Sequence, residues 1–386
     1  MCVSAPFDFF RSIDRLVFSE FSPRLSGDLR AKEEKKNCQM NKTLRQPPRT
    51  IQDVAVLAGV SMATVSRVLN GHPDVSDPTR EAVLRVVREF GFSNHRAAHG
   101  RIVGRTSLIG VAVPEVESSY FAGILAGAAE ALYERDMRVA LCPTHHERER
   151  EVVLLDRLMH GTTDGAILVL PYESDDELDT LLHHGYPFVV VEPRALLRDN
   201  IACVTATHYA GAVLATKHLL ELGHRRIGAI KGPDDRLASQ ERLNGFRSTL
   251  ATAGIVPDPA LEVGSNFKFE TGEEAAAKLL DLPNPPTAIF AFNDEVAIGA
   301  MLAARARGLR IPEDLSIIGF DDVLPAQLAM PPLTTVRQPV AELGRTAVSL
   351  LHRLINKQRV EVLRVELHTK LILRESTAPP RERDLR

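Results

Sequence analysis

From Ser107 onward, short apolar runs alternate with amphipathic stretches, and this alternation limits the architecture more than any other feature of the chain. Strands are expected at Leu108–Val113, Arg138–Leu141, Gly165–Leu170, Phe188–Val191, Ile227–Ile230, Thr287–Phe292 and Ser316–Phe320. Helices are expected between them, for example over Tyr120–Glu134, Tyr209–Leu222, Ser239–Ala253 and Asp294–Arg307. A strand buried on both faces reads as a near-continuous apolar run, which is the pattern here. Such strands joined by helical crossovers form a parallel sheet covered on both sides. About nine such units are too many for one small sheet, so two similar lobes with a cleft between them are expected. In open parallel sheets, ligands sit beyond the carboxyl ends of the strands.

The segment before this body has a different period. Thr50 can cap a helix with Asp53 in its first turn, near the positive helix end, and with Ile51, Val54, Ala55 and Ala58 facing inward. Gly59 permits a tight turn. Ser61 caps a second helix reaching about Leu69, with Val65, Val68 and Leu69 inward, and Asn70-Gly71 ends it. Ser76 or Asp77 caps a third, with Pro78 in its first turn, a stripe of Val83, Leu84, Val87 and Phe90, and Gly91 as its stop.

Charge divides along the same line. The chain carries −3 overall, yet residues 42–105 carry +5 and residues 106–386 carry −9. A basic head on an acidic body points to a polyanionic partner. With 44% apolar and 25% charged residues in 386, the chain can bury a sizeable core. No run approaches the ~20 apolar residues that span a bilayer, and Asp8, Arg11, Asp14 and Arg15 break the apolar N-terminus, so no signal peptide and no membrane partner are expected. Cys2, Cys38, Cys142 and Cys203 form no CxxC pair, which suits reduced thiols in a cytoplasm. His145-His146 and His183-His184 lack metal-ligand spacing and read as ordinary polar loop or helix-end residues. Gly123-x-x-x-Gly127 reads as close helix packing, and neither GxxxxGK[ST] nor GxSxG occurs, so no cofactor is expected.

The second helix of the head carries the chemistry. A helix-turn-helix needs small residues where its helices cross, a turn that tolerates glycine, and a polar outer face. Ala55 and Val65 can meet at the crossing, while Met62, Ala63, Ser66 and Arg67 point outward. Arg67 can reach guanine or phosphate, and Met62 and Ala63 can touch a thymine methyl. Thr50, Ser61, Ser66, Asn70, Ser76 and Thr79 are short polar residues suited to phosphate contact or capping.

This segment resembles the head of the lactose-repressor (LacI) family through Asp53-Val54-Ala55, Ala58-Gly59-Val60-Ser61, Thr64-Val65-Ser66-Arg67-Val68 and Leu69-Asn70-Gly71. The resemblance continues through Leu222-Gly223-His224, Arg242-Leu243-Asn244-Gly245-Phe246, Phe292-Asn293-Asp294, Ile311-Pro312-Glu313-Asp314 and Gly319-Phe320-Asp321-Asp322. It implies an N-terminal all-α helix-turn-helix head on an α/β body of two periplasmic-binding-protein-like lobes with parallel sheets. It also implies a homodimer on a pseudo-palindromic, double-stranded operator, and a small-molecule effector, sugar-like or a related metabolite, between the lobes. The expected division is a tail at 1–48, a DNA-binding domain at 49–92, a hinge at 93–105 and the effector-binding and dimerisation domain at 106–386. Met40 stands just before the head as a second candidate start.

In the family a hinge helix follows a Pro-Asn pair and presents a leucine to the minor groove, and such wedges kink DNA. Here Asn94-His95 holds the Pro-Asn place and Arg101 the leucine place, with Ile102 one residue on. Either Ile102 wedges in a shifted register, or Arg101 reads a narrow groove by charge. The family's ligand positions fall on Glu192, Arg242, Phe267, Asn293 and Asp321, with Arg236 matching a contact of the purine-responsive branch. Tyr120 and Phe121 are a further expected wall. Arg242 can clamp a diol or carboxylate, Asp321 and Glu192 can accept from hydroxyls, Asn293 can do both, and Phe267 can stack.

Two other functions compete. A solute-binding protein shares the two-lobed body but would carry an export signal and no DNA-binding head. An enzyme could use Asp294, Asp321 or Asp322 as acid and base, yet no nucleophile–base pair accompanies them. A DNA-binding transcriptional regulator, most simply a repressor, accounts for both halves of the chain, and no catalytic residue is expected.

Overall fold

The computed structural model describes residues 51–69, 72, 74–90, 106–158, 163–172 and 175–381. They form two compact units, a head ending at Phe90 and a body beginning at Thr106. Thr50, Asn70, Gly71 and Gly91, and the hinge with Arg101 and Ile102, lie outside the described residues.

The head consists of α1 (Ile51–Ala58), α2 (Met62–Leu69) and α3 (Asp77–Phe90). The chain turns by 98° between α1 and α2. Gly59 makes that turn at φ +67°, a conformation that costs glycine little. Ser61 Oγ accepts from Thr64 N at 3.1 Å, so the expected cap of α2 is formed. Val54, Ala55, Val65 and Val68 fill the crossing together with Val83 and Val86. The stripe of α3 is therefore rotated from the expected one: Leu84 and Val87 only flank the core, because Val83 and Val86 are the pair that faces it.

The body has two six-stranded sheets. The first holds β1 (Leu108–Val113), β2 (Arg138–Pro143), β3 (Gly165–Val169), β4 (Phe188–Val191) and β5 (Cys203–Ala206), with β11 (Arg364–Leu367) added late in the chain. Its order is β11-β5-β4-β3-β1-β2, parallel throughout. The second holds β6 (Ile227–Lys231), β7 (Glu262–Gly264), β8 (Ala288–Ala291), β9 (Ser316–Asp321), β10 (Thr334–Arg337) and β12 (Lys370–Ile372). Its order is β12-β10-β9-β8-β6-β7, and only the β10–β12 pair is antiparallel.

Each sheet buries both faces, as the apolar runs require. In β1 and β3, Ile109, Val111, Ile167 and Val169 face one core, while Ala112, Ala166 and Leu168 face the other. In the second lobe, Ile289 and Ile317 face one core, and Phe290, Ile318 and Phe320 the opposite one. The helices follow in chain order: α4 (Ser119–Tyr133), α5 (Arg148–Arg157), α6 (Asp175–His183), α7 (His208–Glu221), α8 (Leu237–Thr252), α9 (Phe269–Leu280), α10 (Asp294–Ala306), the short α11 (Leu324–Leu328) and α12 (Val340–Ile355). None of the described helices is alone long and apolar enough to cross a membrane.

The lobes are not consecutive halves of the sequence. The chain leaves the first after β5, since Ala212, Ala215 and Leu219 of α7 belong to a core of the second. It returns at Gln338-Pro339, where Leu343 and Ala347 of α12 join the first lobe, and crosses again between β11 and β12. Two of the crossings are stitched together, with Thr369 N donating to Thr207 Oγ1 at 3.0 Å and Thr369 Oγ1 to Thr207 O at 3.2 Å.

Candidate functional site

Beyond the strand ends of the two lobes lies a cavity of about 730 Å³, open to solvent. Most wall residues follow a strand, while Tyr120 and Phe121 stand on α4, Ala238 and Arg242 on α8, and Glu295 on α10. Glu115 and Ser118 come after β1, His146 after β2, Leu170 after β3 and Glu192 after β4. On the second lobe, Arg236 comes after β6, Phe267 after β7 and Asn293 after β8, and Asp321 ends β9. Tyr120, Glu192, Arg236, Arg242, Phe267, Asn293 and Asp321, all expected from the sequence, line this one cavity.

Five wall residues have left-handed backbone without being glycine: His146 (φ +59°), Leu170 (φ +53°), Glu192 (φ +55°), Phe267 (φ +69°) and Asp321 (φ +125°). Such conformations cost about 1–3 kcal/mol each and persist where the surroundings enforce them, which is characteristic of ligand sites. Phe267 is pressed against Gly232, where an added Cβ would lie 2.0 Å from the ring.

Arg242, only 4% exposed, is the electrostatic centre. Its Nη1 donates to Phe292 O, its Nη2 donates to His208 Nδ1 at 3.2 Å, and its guanidinium lies 3.9 Å from the Phe320 ring centre. Because His208 Nδ1 accepts, its Nε2–H is free to donate to Glu192 Oε2 at 2.6 Å. Glu192 Oε1 also accepts from Ala206 N at 2.8 Å and Thr205 Oγ1 at 3.2 Å. The carboxylate is thus well satisfied by protein; burial pushes its pKa up, but the hydrogen bonds from His208 and Ala206 N and the nearby Arg242 hold it below the ordinary value. This relay runs from the second lobe through the first crossing to the first lobe.

Asp321 lies 3.9 Å from Arg242 and accepts from Gln338 Nε2 at 2.6 Å, at the second crossing. Burial still raises its pKa, and that of Asp294 beside it. Asp294 is consumed by the fold, accepting from Thr335 Oγ1 at 2.5 Å and Val323 N at 3.0 Å. Asp322 is likewise held by Arg337 and Arg374. Asn293 proves to be the N-cap of α10: its Oδ1 accepts from Val296 N at 3.0 Å and its Nδ2 donates to Phe267 O at 2.9 Å.

The cleft mouth is bridged between lobes. Lys268 Nζ sits 2.6 and 2.7 Å from the two oxygens of Glu115, Leu237 N donates to Arg194 O at 2.8 Å, and Ser118 Oγ donates to Glu295 Oε1 at 3.4 Å. Arg236 Nη2 donates to His146 Nδ1 at 3.4 Å. Burial and Arg236 hold His146 below its ordinary pKa, so it accepts as a neutral ring. The expectation that His146 is an ordinary loop residue is therefore corrected, since it follows β2 at the cleft. Glu115, Ser118, Lys268 and Glu295 were also missed by the sequence reading. The rule that wall residues follow strand ends would have found Glu115, Ser118 and His146. Gly123 and Gly127 do pack closely, against Val340 and Ala341 of α12. Among the described residues, no group of three or more His, Cys, Asp or Glu is placed to hold a metal ion.

Behind the cleft, burial pushes Glu151 up to about 7, against the opposing pull of Tyr172 N, Arg194 and Arg236. Between its ordinary value of 4.5 and about 7, the folded state holds the proton and the unfolded state does not. The stability owed to this group is complete below pH 4.5 and lost as pH rises through 7. E151Q, which cannot ionise, should gain in melting temperature relative to wild type between pH 5 and pH 8. Parallel thermal melts at the two pH values measure this, and an unchanged gap would refute it.

On the head, Met62 (54% exposed), Ala63, Ser66 and Arg67 form the outer face of α2, next to the Ser61 cap. Arg67 Nη1 lies 3.4 Å from Asp74, with both side chains largely in solvent, so the pair contributes little and can be exchanged for an external anion. Ser76 Oγ lies 2.8 Å from Thr79 Oγ1 at the start of α3.

A DNA-reading head and a cleft of this build together define a ligand-responsive regulator, and comparison with known proteins agrees. Residues 50–94 match the bacterial regulatory proteins of the lacI family, and residues 216–377 match a periplasmic binding protein-like domain. The chain is 36% identical over 334 residues to the HTH-type transcriptional regulator DegA of Bacillus subtilis (strain 168), covering 86% of this chain and 98% of the relative. A transcriptional regulator CelR–cellobiose complex is similar in structure, with a TM-score of 0.65, 36% identity and coverage of 85% of this chain and 100% of that one. The lac repressor dimer bound to operator and an anti-inducer gives a TM-score of 0.65 at 28% identity, covering 86% and 99%. The chain belongs to the LacI family and is a DNA-binding transcriptional regulator.

Proposed function

We propose that this protein is a repressor acting in the cytoplasm as a homodimer, one head on each half of a pseudo-palindromic operator. Met62, Ala63 and Arg67 read the major groove, while Ser61, Ser66, Ser76 and Thr79 face the backbone. Thr50 and Asn70 complete the DNA-contacting set on the head, and at the hinge either Ile102 wedges into the minor groove or Arg101 reads it by charge. A sugar-like effector binds between the lobes and changes operator affinity. The observation that supports this reading best is the convergence of seven sequence-chosen residues on one cavity bridged by both lobes.

The route from cleft to head begins at the crossings, where Glu192, His208, Arg242, Asp321 and Gln338 form one connected buried set. A ligand that replaces any of these bonds shifts the lobe angle, and a coupling of about 1–3 kcal/mol is expected. The test is operator binding by fluorescence anisotropy with sugars and purines titrated in. One compound should change affinity by about tenfold, and its sign shows whether the effector releases or promotes binding. R67A should weaken operator binding by about 1–3 kcal/mol and relax one base position. If no compound altered affinity, the effector half of the proposal would fail, while a silent R67A would sink the assignment of the recognition face.

A further inference from the structure

The two ends of the cleft differ in charge balance. At the inner end, Arg242 is matched by the ionised Glu192 through His208, and in part by Asp321, which burial pushes up to about 7. At the outer end stand Arg236, Arg194 and Lys268. Lys268 is taken by Glu115, and Arg194 pairs with Asp235 while its guanidinium lies 3.5 Å from the Tyr172 ring centre. Among the described residues Arg236 has no ion pair of its own, although Asp235 and Glu151 act on it from farther off. It is 8% exposed, its Nε and Nη1 are buried without hydrogen-bond partners, and its Nη2 makes only the 3.4 Å contact with neutral His146. Arg194 Nη1 is partnerless beside it. The Tyr172 ring, 5.8 Å away, offsets only part of the charge of Arg236.

A buried guanidinium with idle donors is costly unless an acceptor reaches it. Neutral hydroxyls would fill those donors without neutralising the charge, whereas an anionic oxygen does both and forms stronger bonds. Glu151 does not supply that neutralisation fully, being raised to about 7 and hydrogen-bonded at Oε2 to Tyr172 N. Burial and Arg194 together lower the pKa of Arg236 to about 10, so it stays charged at neutral pH.

We propose that the effector is a polyhydroxylated compound bearing an anionic group, carboxylate or phosphate, and that Arg236 receives this group while Arg242, Asn293 and Asp321 take the hydroxylated part. The proposal rests on the reading of the cleft as the effector site and adds its ligand class.

The test is titration calorimetry on the full chain at constant ionic strength with glucose, gluconate, glucuronate and glucose 6-phosphate. At least one of the charged compounds should bind about tenfold or more tightly than glucose. Whether the acids or the phosphate does so separates the two sources of the anion. R236Q should bring the charged compound down to the level of glucose, and R236K should restore part of the difference. If glucose bound as tightly as its charged relatives and R236Q changed nothing, the anion assignment would be overturned while the cleft stayed a sugar site. If none of the four compounds bound, the assignment would again fall. The operator titration would then decide separately whether the cleft takes an effector at all.

Discussion

R242M should cost the body about 3–5 kcal/mol at pH 8, because it leaves buried carboxylates without their cation. Methionine keeps much of the volume and apolar length of the side chain, so the loss is electrostatic rather than a cavity effect. Part of it should vanish as pH falls from 8 to 5. Asp321 is already raised by burial in the presence of Arg242, and removing that cation raises it further. An acid whose folded pKa lies above its unfolded one stabilises the fold while protonated, and that contribution is lost as pH rises through the folded value. Wild type and R242M therefore converge on the acid side, while the share owed to Glu192, whose pKa is lowered, persists. Urea denaturation at the two pH values reads this directly, and a deficit independent of pH would sink the argument. The same variant should lose the response to effector, because Arg242 joins His208 to Asp321 in the buried set at the crossings.

The second large effect is expected at the contact of α4 with α12. An added Cβ on Gly127 would stand 1.9 Å from Ala341 O, and one on Gly344 would stand 2.2 Å from Ile124 O. These are backbone atoms of the facing helix, so no side chain can turn aside. G127V should cost about 3 kcal/mol or more, beyond usual overpacking. G123A should cost less, because its Cβ meets the side chain of Val340 at 2.6 Å rather than backbone. Thermal unfolding ranks the two, and equal costs would mean that the helices slide apart easily.

The long buried strands, the main helices and the three-helix head were legible in the sequence because each has a strong, uniform period. β5, β7, β10, β11 and β12 were not. They have three or four residues, and β7, β11 and β12 lie at sheet edges with exposed positions that break the apolar run. Six of the seven cleft residues were legible through family resemblance and Tyr120 through its place after the first strand, and their chemistry through residue type. What the sequence hid was sharing of work between partners. Glu192 reads as a hydroxyl acceptor, but His208, fixed only by the fold, already holds it. Asn293 reads as a two-way polar group, but its side chain also caps a helix. His146 looks like a loop histidine until strand β2 is seen to aim its loop at Arg236.

The triple crossing between the lobes bears on how the protein is made. The first sheet reaches its full width only with β11, and one of its faces is covered by α12, both encoded after nearly all of the second lobe. A chain emerging from the ribosome can lay down β1 to β5 early, but it leaves Val204 at a bare edge and Leu132 and Val189 under an open face until residues 340–367 arrive. Domains that fold as units during synthesis usually finish in order. Here the first lobe is begun first and closed last, so a truncated product carries an exposed apolar sheet and no working cleft.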